Sequence, residues 1–238
     1  MSDPEGGASL PRYIQISEML IREIAAGRRA DGSRLPAERE MAADLGVSVG
    51  TLRKALSDLE GKGLLERVQG SGNYVRSRAA VASVYAFFRL ELPEGGGLPT
   101  AEVISVSREA KPAGAPTFGP GAEGHRIRRV RRLDGVPVAL EEIWLDGARA
   151  ERLTREDLSE SLYEFYRDGL GLVIGRIEDR IWAAPPPEWG EGLPVETAVD
   201  LMGYIERLSF DAYGQAVEFS RTWFDNDKAR YVSRLGKG

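Results

Sequence analysis

The run from Leu35 to Val75, LPAEREMAADLGVSVGTLRKALSDLEGKGLLERVQGSGNYV, constrains what this chain can fold into more than any other segment. Pro36 presets the backbone for a helix over about Ala37–Leu45, which Gly46 closes. Ser48 is a good N-cap for the next helix, running to about Gly61 and burying Leu52, Ala55, Leu56 and Leu59 on one stripe. Leu64–Gln69 and Asn73–Arg76 then read as two short strands about a Gly70-Ser71-Gly72 turn. Helix, turn, helix and small hairpin is the order of a winged helix-turn-helix. Upstream, Ile14, Ile16, Leu20, Ile21 and Ile24 predict an amphipathic helix ended by Gly27, while the polar, Gly-rich residues 1–11 are expected to be disordered.

In such a module the second helix of the motif enters the major groove, its N-terminal residues facing base edges. Here those residues are Ser48, Gly50, Thr51, Arg53 and Lys54. The two hydroxyls can donate to phosphates or bases, and the helix N-terminus itself attracts a phosphate. Gly50 lets the backbone come close, and Arg53 can reach a guanine edge. Arg39 opens the preceding helix, within reach of backbone or base. The Gly70-Ser71-Gly72 tip, with Gln69 beside it, fits a minor groove. Each cation alone reads equally well as a solvated helix face; the turn, the spacing and the wing together favour DNA.

Charge sets a limit on this reading without opposing it. The chain carries 32 Lys/Arg against 37 Asp/Glu, so it is not coated in basic surface, but DNA binding needs only a local cluster of cations. Residues 1–78 hold 12 cationic and 11 anionic side chains and the remainder 20 and 26, an asymmetry of the expected sign. With no cysteine, disulfides, thiolate metal sites and cysteine nucleophiles are excluded. One histidine, His125, argues against a His-rich metal centre or a Ser-His-Asp triad, and no cofactor is expected. No apolar run of about 18 residues and no apolar signal core are present, so the expectation is a cytoplasmic chain without a membrane partner.

The Leu35–Val75 run resembles the N-terminal domain of GntR-family transcription regulators, over about residues 12–76. The resemblance implies DNA contacts at Arg39, Thr51, Arg53 and the Gly70–Gly72 wing. Many family members have arginine where this chain has Val49, which weakens a guanine contact or replaces it by apolar contact with a thymine methyl.

Residues 77–84 lack pattern and read as a linker; 85–238 are expected to form a second domain that binds an effector and dimerises. Arg126–Leu133 and Val136–Leu145 flank Asp134-Gly135, a strong hairpin signal. Thr154 with Asp157 reads as a cap leading to a helix near Glu160–Asp168 that stops at Gly169. Ile174–Ala184 reads as a strand, Glu196–Leu201 as a weak helix, and Tyr204–Phe210 with Ala216–Phe224 as a final hairpin. Strands with peripheral helices make an α+β domain. A single histidine rejects the metal-dependent helical effector domain of one GntR branch. The scarcity of lysine beyond position 111 rejects a pyridoxal-phosphate domain. RVRRLDGVPVALEE, the Ser161-Leu162-Tyr163 helix start and AVEFSRTWF resemble the UTRA effector domain of the HutC-type branch, over roughly 81–235. That resemblance implies an antiparallel, chorismate-lyase-like fold and small, often anionic effectors such as phosphorylated sugars or carboxylates.

The residues agree with an anion. Arg129 and Arg131, two apart on a strand, share a face and repel unless an anion lies between them. Ser161 and Tyr163 stand in the first turn of a helix whose free amides favour an anion. Glu141 and Glu218 can accept from ligand hydroxyls or clamp the arginines when the site is empty, and Arg89 is a further candidate contact. Plainer roles stand beside these: Arg129 and Arg131 in a solvated basic run, Ser161 as a cap, Tyr163 at a core edge, the glutamates as structural partners, Arg89 at the surface. Trp144, Trp182 and Trp223 read as core or dimer packing. Asp225 stands where many members have arginine, adding a carboxylate near the pocket rim. The expected whole is a homodimeric repressor on a pseudo-palindromic operator, with the effector's influence relayed through residues 77–84. A ligand-independent architectural DNA protein and a chorismate-lyase-like enzyme are the alternatives.

Overall fold

The computed structural model describes residues 10–25, 27–76, 85 and 87–234. The linker expected at 77–84 lies outside them, as do residues 1–9 of the expected disordered N-terminus; Leu10 is buried. The chain forms two compact units, one of residues 99–230 and one containing residues 10–98 and the segment from Tyr231 onward.

The smaller unit contains α1 (Arg12–Ala25), α2 (Glu38–Asp44), α3 (Val49–Gly61) and the hairpin β1 (Leu65–Val68) and β2 (Gly72–Val75). Its core is the stripe foreseen from spacing: Ile16, Leu20, Ile21 and Ile24 of α1 meet Leu52, Ala55, Leu56 and Leu59 of α3, with Leu35, Met41 and Val75 filling in. Each fully buried leucine contributes about 1.5–3 kcal/mol relative to exposure. The Ser48 hydroxyl accepts from the Thr51 amide at 3.1 Å, capping α3 as its sequence predicts.

Tyr85 and residues 87–98 group with the winged module, as do residues 231–234. Buried Arg22 of α1 explains this attachment: its Nε donates to Gly97 O at 2.9 Å, its Nη2 to Leu90 O at 2.6 Å, and its guanidinium lies over the Phe88 ring. The short strands β3 (Leu90–Glu91) and β10 (Arg230–Tyr231) pair, and Arg234 bridges Glu91 at 2.6 Å.

The larger unit is a six-stranded antiparallel sheet in the order β4-β5-β6-β9-β8-β7. Its strands are β4 (Pro99–Ala110), β5 (Glu123–Leu133), β6 (Val136–Asp146), β7 (Ile174–Ala184), β8 (Met202–Asp211) and β9 (Ala216–Phe224). Asp134 and Gly135, at φ +47° and +81°, form the two-residue turn between β5 and β6, which demands positive φ at both positions. One helix, α4 (Leu162–Leu170), covers part of one face.

Three expectations are corrected here. α4 begins at Leu162 and ends on Gly171 in the left-handed region; Gly169 is inside it. The Thr154–Asp157 contact is real, at 2.7 and 2.8 Å, but closes a local turn well before the helix. The segment 196–201 forms no helix: Glu196 folds back on the Ala198 amide, and the run is too short to nucleate without packing. Among the described residues, no helix is long and apolar enough to cross a membrane.

Candidate nucleic-acid interface and effector site

On the winged unit, the start of α3, the start of α2 and the wing present the predicted set. Ser48, Gly50, Arg39, Arg53, Lys54, Gln69 and Gly70 are exposed, Thr51, Ser71 and Gly72 half-buried. The Thr51 and Ser48 hydroxyls lie 2.9 Å apart, so the cap that starts the helix also fixes the two candidate donors. Val49, expected to face a base, is half-buried against the helical core. A glutamate not foreseen as part of the site organises the cations: Glu38 Oε2 accepts from Arg53 Nε at 2.6 Å and Glu38 Oε1 from Arg67 Nη2 at 2.7 Å. The hydrogen bond from Arg53, then that from Arg67, holds this carboxyl below its ordinary range despite some desolvation. The sequence signal was available, since Glu38 precedes Arg39 at the helix start, but a carboxylate facing DNA is not sought as a contact. In the wing, Gly72 has φ +134° and a Cβ there would meet Arg34 Nε at 3.0 Å, so this position requires glycine.

The sheet unit gathers most of the predicted effector residues on one face. Arg129 and Arg131 of β5 both reach a single oxygen of Glu141 on β6: Arg129 Nη2 at 2.7 Å and Nε at 3.1 Å, Arg131 Nη2 at 3.0 Å. All three are buried, at 3, 5 and 7% exposure. Both arginines also donate to the Glu160 carbonyl at the entrance of α4, at 3.5 and 3.4 Å. The expected solvated run is therefore refuted for these two; Arg126, Arg128 and Arg132 take the opposite face, where Arg128 pairs with Glu142 at 2.8 Å. Burial pulls the Arg129 guanidinium below its ordinary value, and Glu141 opposes the fall. For Glu141 the two guanidiniums outweigh desolvation and hold its carboxyl down at about 2.

Glu218 does not clamp the arginines. It lies opposite Leu145, four residues along β6 from Glu141, about 13 Å of strand away. It accepts instead from three hydroxyls: Tyr163 at 3.0 Å, Tyr166 at 2.7 Å and Ser209 at 2.7 Å. Burial, then the nearby Glu218 charge, raises both phenols well above their ordinary value, so they stay protonated donors. Tyr166 and Ser209 escaped the sequence reading. Tyr166, one helical turn after Tyr163, is the signal that identified neither its face nor its partner. Ser161 caps α4, accepting from the Glu164 amide at 3.4 Å.

Arg89 lies in the winged unit, where its carbonyl accepts from the Val232 amide at 2.8 Å. Asp225 carries no open charge: Lys228 pairs with it at 2.8 Å and the Asp227 amide donates to it. His125 is buried against the Ala150 carbonyl at 2.8 Å, a structural contact.

Comparison with known proteins places both units. Residues 12–75 match the family described as bacterial regulatory proteins, gntR family, and residues 94–230 match the UTRA domain. The chain is 58% identical to the HTH-type transcriptional regulator SmoD of Agrobacterium fabrum over 96% of its own length and 98% of the relative's. It is 28% identical to the histidine utilization repressor of Pseudomonas putida over 76 and 75%. The crystal structure of the transcriptional regulator YydK of Bacillus subtilis superposes with a TM-score of 0.55 at 25% identity, covering 95% of this chain and all of that one. The chain belongs to the GntR family, in its HutC-type branch: a DNA-binding transcription regulator, not an enzyme, built from a winged helix-turn-helix and a UTRA effector-binding domain.

Proposed function

We propose that this regulator is a homodimeric repressor whose grip on a pseudo-palindromic operator is released by a small anionic metabolite, a phosphorylated sugar or a carboxylate, bound between Arg129 and Arg131. The observation that carries the reading is the sharing of one Glu141 oxygen by two buried guanidiniums. Two buried cations on one carboxylate leave an excess positive charge that a further or stronger anion relieves. A ligand phosphate or carboxylate takes the place of Glu141, which then accepts hydrogen bonds from ligand hydroxyls. The first turn of α4 supplies further donors, and because Glu160 O closes over both guanidiniums, ligand entry shifts the start of that helix. The name of the Pseudomonas putida relative, a histidine utilization repressor, supports a catabolic metabolite as effector. A dimer sets two recognition helices on two half-sites, one per protomer, which gives the operator its two-fold symmetry.

Control requires the effector to bind free and DNA-bound protein with different affinity, a coupling of about 1–3 kcal/mol. The test is a thermal-shift screen of sugar phosphates, sugar acids and amino-acid catabolites on the native chain and on Arg131→Ala. The expected hit raises the melting temperature of the native chain, weakens its operator binding by fluorescence anisotropy, and leaves Arg131→Ala unmoved. A ligand that stabilises both proteins equally moves the pocket elsewhere. No hit at millimolar concentration, with operator affinity indifferent to all, favours an architectural DNA protein.

A further inference from the structure

The outermost strand β7 offers a surface that nothing in this chain covers among the described residues. It pairs with β8 along one edge, and no described backbone group bonds to the other. Seven of its eleven residues are exposed, against three of twelve on β4 at the opposite end of the sheet. Ile181 and Trp182 are 48 and 46% exposed, large apolar surfaces for a strand with an open edge. Proteins ordinarily guard such edges with bulges or repelling charges. β4 has its register shift in mid-strand, between Val103 and Ser105. β7 has one at its very start, between Ile174 and Arg176, and is regular from there to Ala184.

The side chains that follow alternate in sign and are self-complementary. Register with β8 puts Ile177, Asp179 and Ile181 on one face and Arg176, Glu178, Arg180 and Trp182 on the other. Two copies joined edge to edge are related by a two-fold axis perpendicular to the sheet. That operation preserves faces, so each residue meets only like-faced residues of the other copy. We infer that β7 joins β7 of a second copy of this chain, antiparallel and centred on Asp179, to make one continuous sheet through the dimer.

Centred there, Glu178 faces Arg180 of the second copy, Ile177 faces its Ile181, and Arg176 faces its Trp182, each pair occurring twice. These are a charge pair, an apolar pair and a cation–π pair, the contacts that stabilise adjacent strands. Asp179 on the axis is neutralised within its own protomer by Arg207, at 2.6 and 2.8 Å, so the two copies bring no open charges together. Moving the centre to Glu178 sets Arg176 against Arg180; moving it to Arg180 sets that arginine against itself. Moving it to Ile177 carries the pairing into the bulge at Gly175. Of these four centres, Asp179 alone sets opposite charges together clear of the bulge, and it is the register proposed for this isologous contact.

This inference takes the homodimer from the proposed function and gives it an interface, and the experiments keep the two apart. Sedimentation of the full chain gives the dimer dissociation constant. Glu178→Arg and Arg180→Glu each place like charges opposite one another and raise that constant at least tenfold. The double variant restores the pairing with its signs exchanged and returns it to near the native value. Because the chain lacks cysteine, Ile177→Cys and Ile181→Cys also report the register directly. Co-expressed and oxidised they form a disulfide-linked dimer, whereas either alone does not, its two sulfurs being too far apart to bridge. A native dimer indifferent to both charge variants, with no crosslink in the mixture, overturns the β7 interface and leaves the homodimer standing. A native chain that stays monomeric at all concentrations removes both.

Discussion

Replacing Glu141 by glutamine tests the buried cluster most directly. The amide keeps the shape but withdraws the charge that holds three arginine nitrogens at 2.7–3.1 Å. Two guanidiniums, almost wholly buried, are left facing each other across a neutral group. Breaking a buried ion pair by removing one partner costs about 3–5 kcal/mol. In a unit of this size each kcal/mol lowers the melting temperature by roughly 3–4 °C, so the transition of the sheet unit falls by roughly 10–20 °C. The loss is recoverable by an outside anion. Inorganic phosphate at a hundred times its dissociation constant returns about 2.7 kcal/mol, most of the deficit. Scanning calorimetry of the native and Glu141→Gln proteins, with phosphate titrated against chloride at fixed ionic strength, reads both effects. If the variant melts with the native chain, or phosphate raises its transition no more than the native one, the buried guanidiniums do not demand an anion and the effector assignment falls with them.

Further outcomes follow from the same geometry. Glu141 is depressed from 4.5 in the unfolded chain to about 2, so its stabilisation is complete above about pH 4.5 and is lost as pH falls toward 2. The difference in urea midpoint between native and Glu141→Gln proteins should therefore shrink across that window; a constant difference would locate the effect elsewhere. Arg53→Ala should weaken operator binding by about 1–3 kcal/mol if the guanidinium reads a base, and an unchanged anisotropy titration removes it from the interface. Glu38→Gln releases Arg53 and Arg67 and deletes a negative charge facing the duplex. Binding to unrelated DNA should tighten with a steeper salt dependence and the preference for the operator should narrow; tighter operator binding alone would contradict this.

What the sequence made legible follows where local chemistry and tertiary packing agree. The α3 cap at Ser48, the stripe of Leu52, Leu56 and Leu59, the Asp134-Gly135 turn and the strand over Ile174–Ala184 each depend on a period or a backbone preference read within a few residues. The pairing of Arg129 with Arg131 on one face follows from the two-residue period of a strand, and so does their meeting with Glu141 once the hairpin register is known. Glu218 was grouped with them through the likeness of AVEFSRTWF to the family's last strand, but the sheet separates them along the strand, a distance that depends on how β6 and β9 are offset. No local pattern encodes that offset. Arg22 illustrates the same limit: a cation on an amphipathic helix reads as surface, and becomes the anchor of residues 87–98 through carbonyls some seventy positions away. The grouping of the Arg89 segment is hidden for the same reason, since nothing near it shows which unit it joins.

Two glutamates in this chain hold two arginines each, and burial decides what each clamp can do. Glu38 ties Arg53 and Arg67 at side-chain exposures of 63 and 50%, where an ion pair is worth about 0–1 kcal/mol and water replaces whatever is lost. A phosphate of any duplex can take those arginines at small cost, so the clamp presets their direction while opposing DNA only weakly. Glu141 ties Arg129 and Arg131 at exposures below one tenth, where the same exchange leaves charges that water does not reach. Opening that clamp is favourable only when an anion arrives in the same step, with the geometry to satisfy both guanidiniums. A neutral molecule of the same shape leaves it shut. On the proposed assignments, the exposed clamp opens to a backbone phosphate at small cost, while the buried one opens only to an anion that satisfies both guanidiniums.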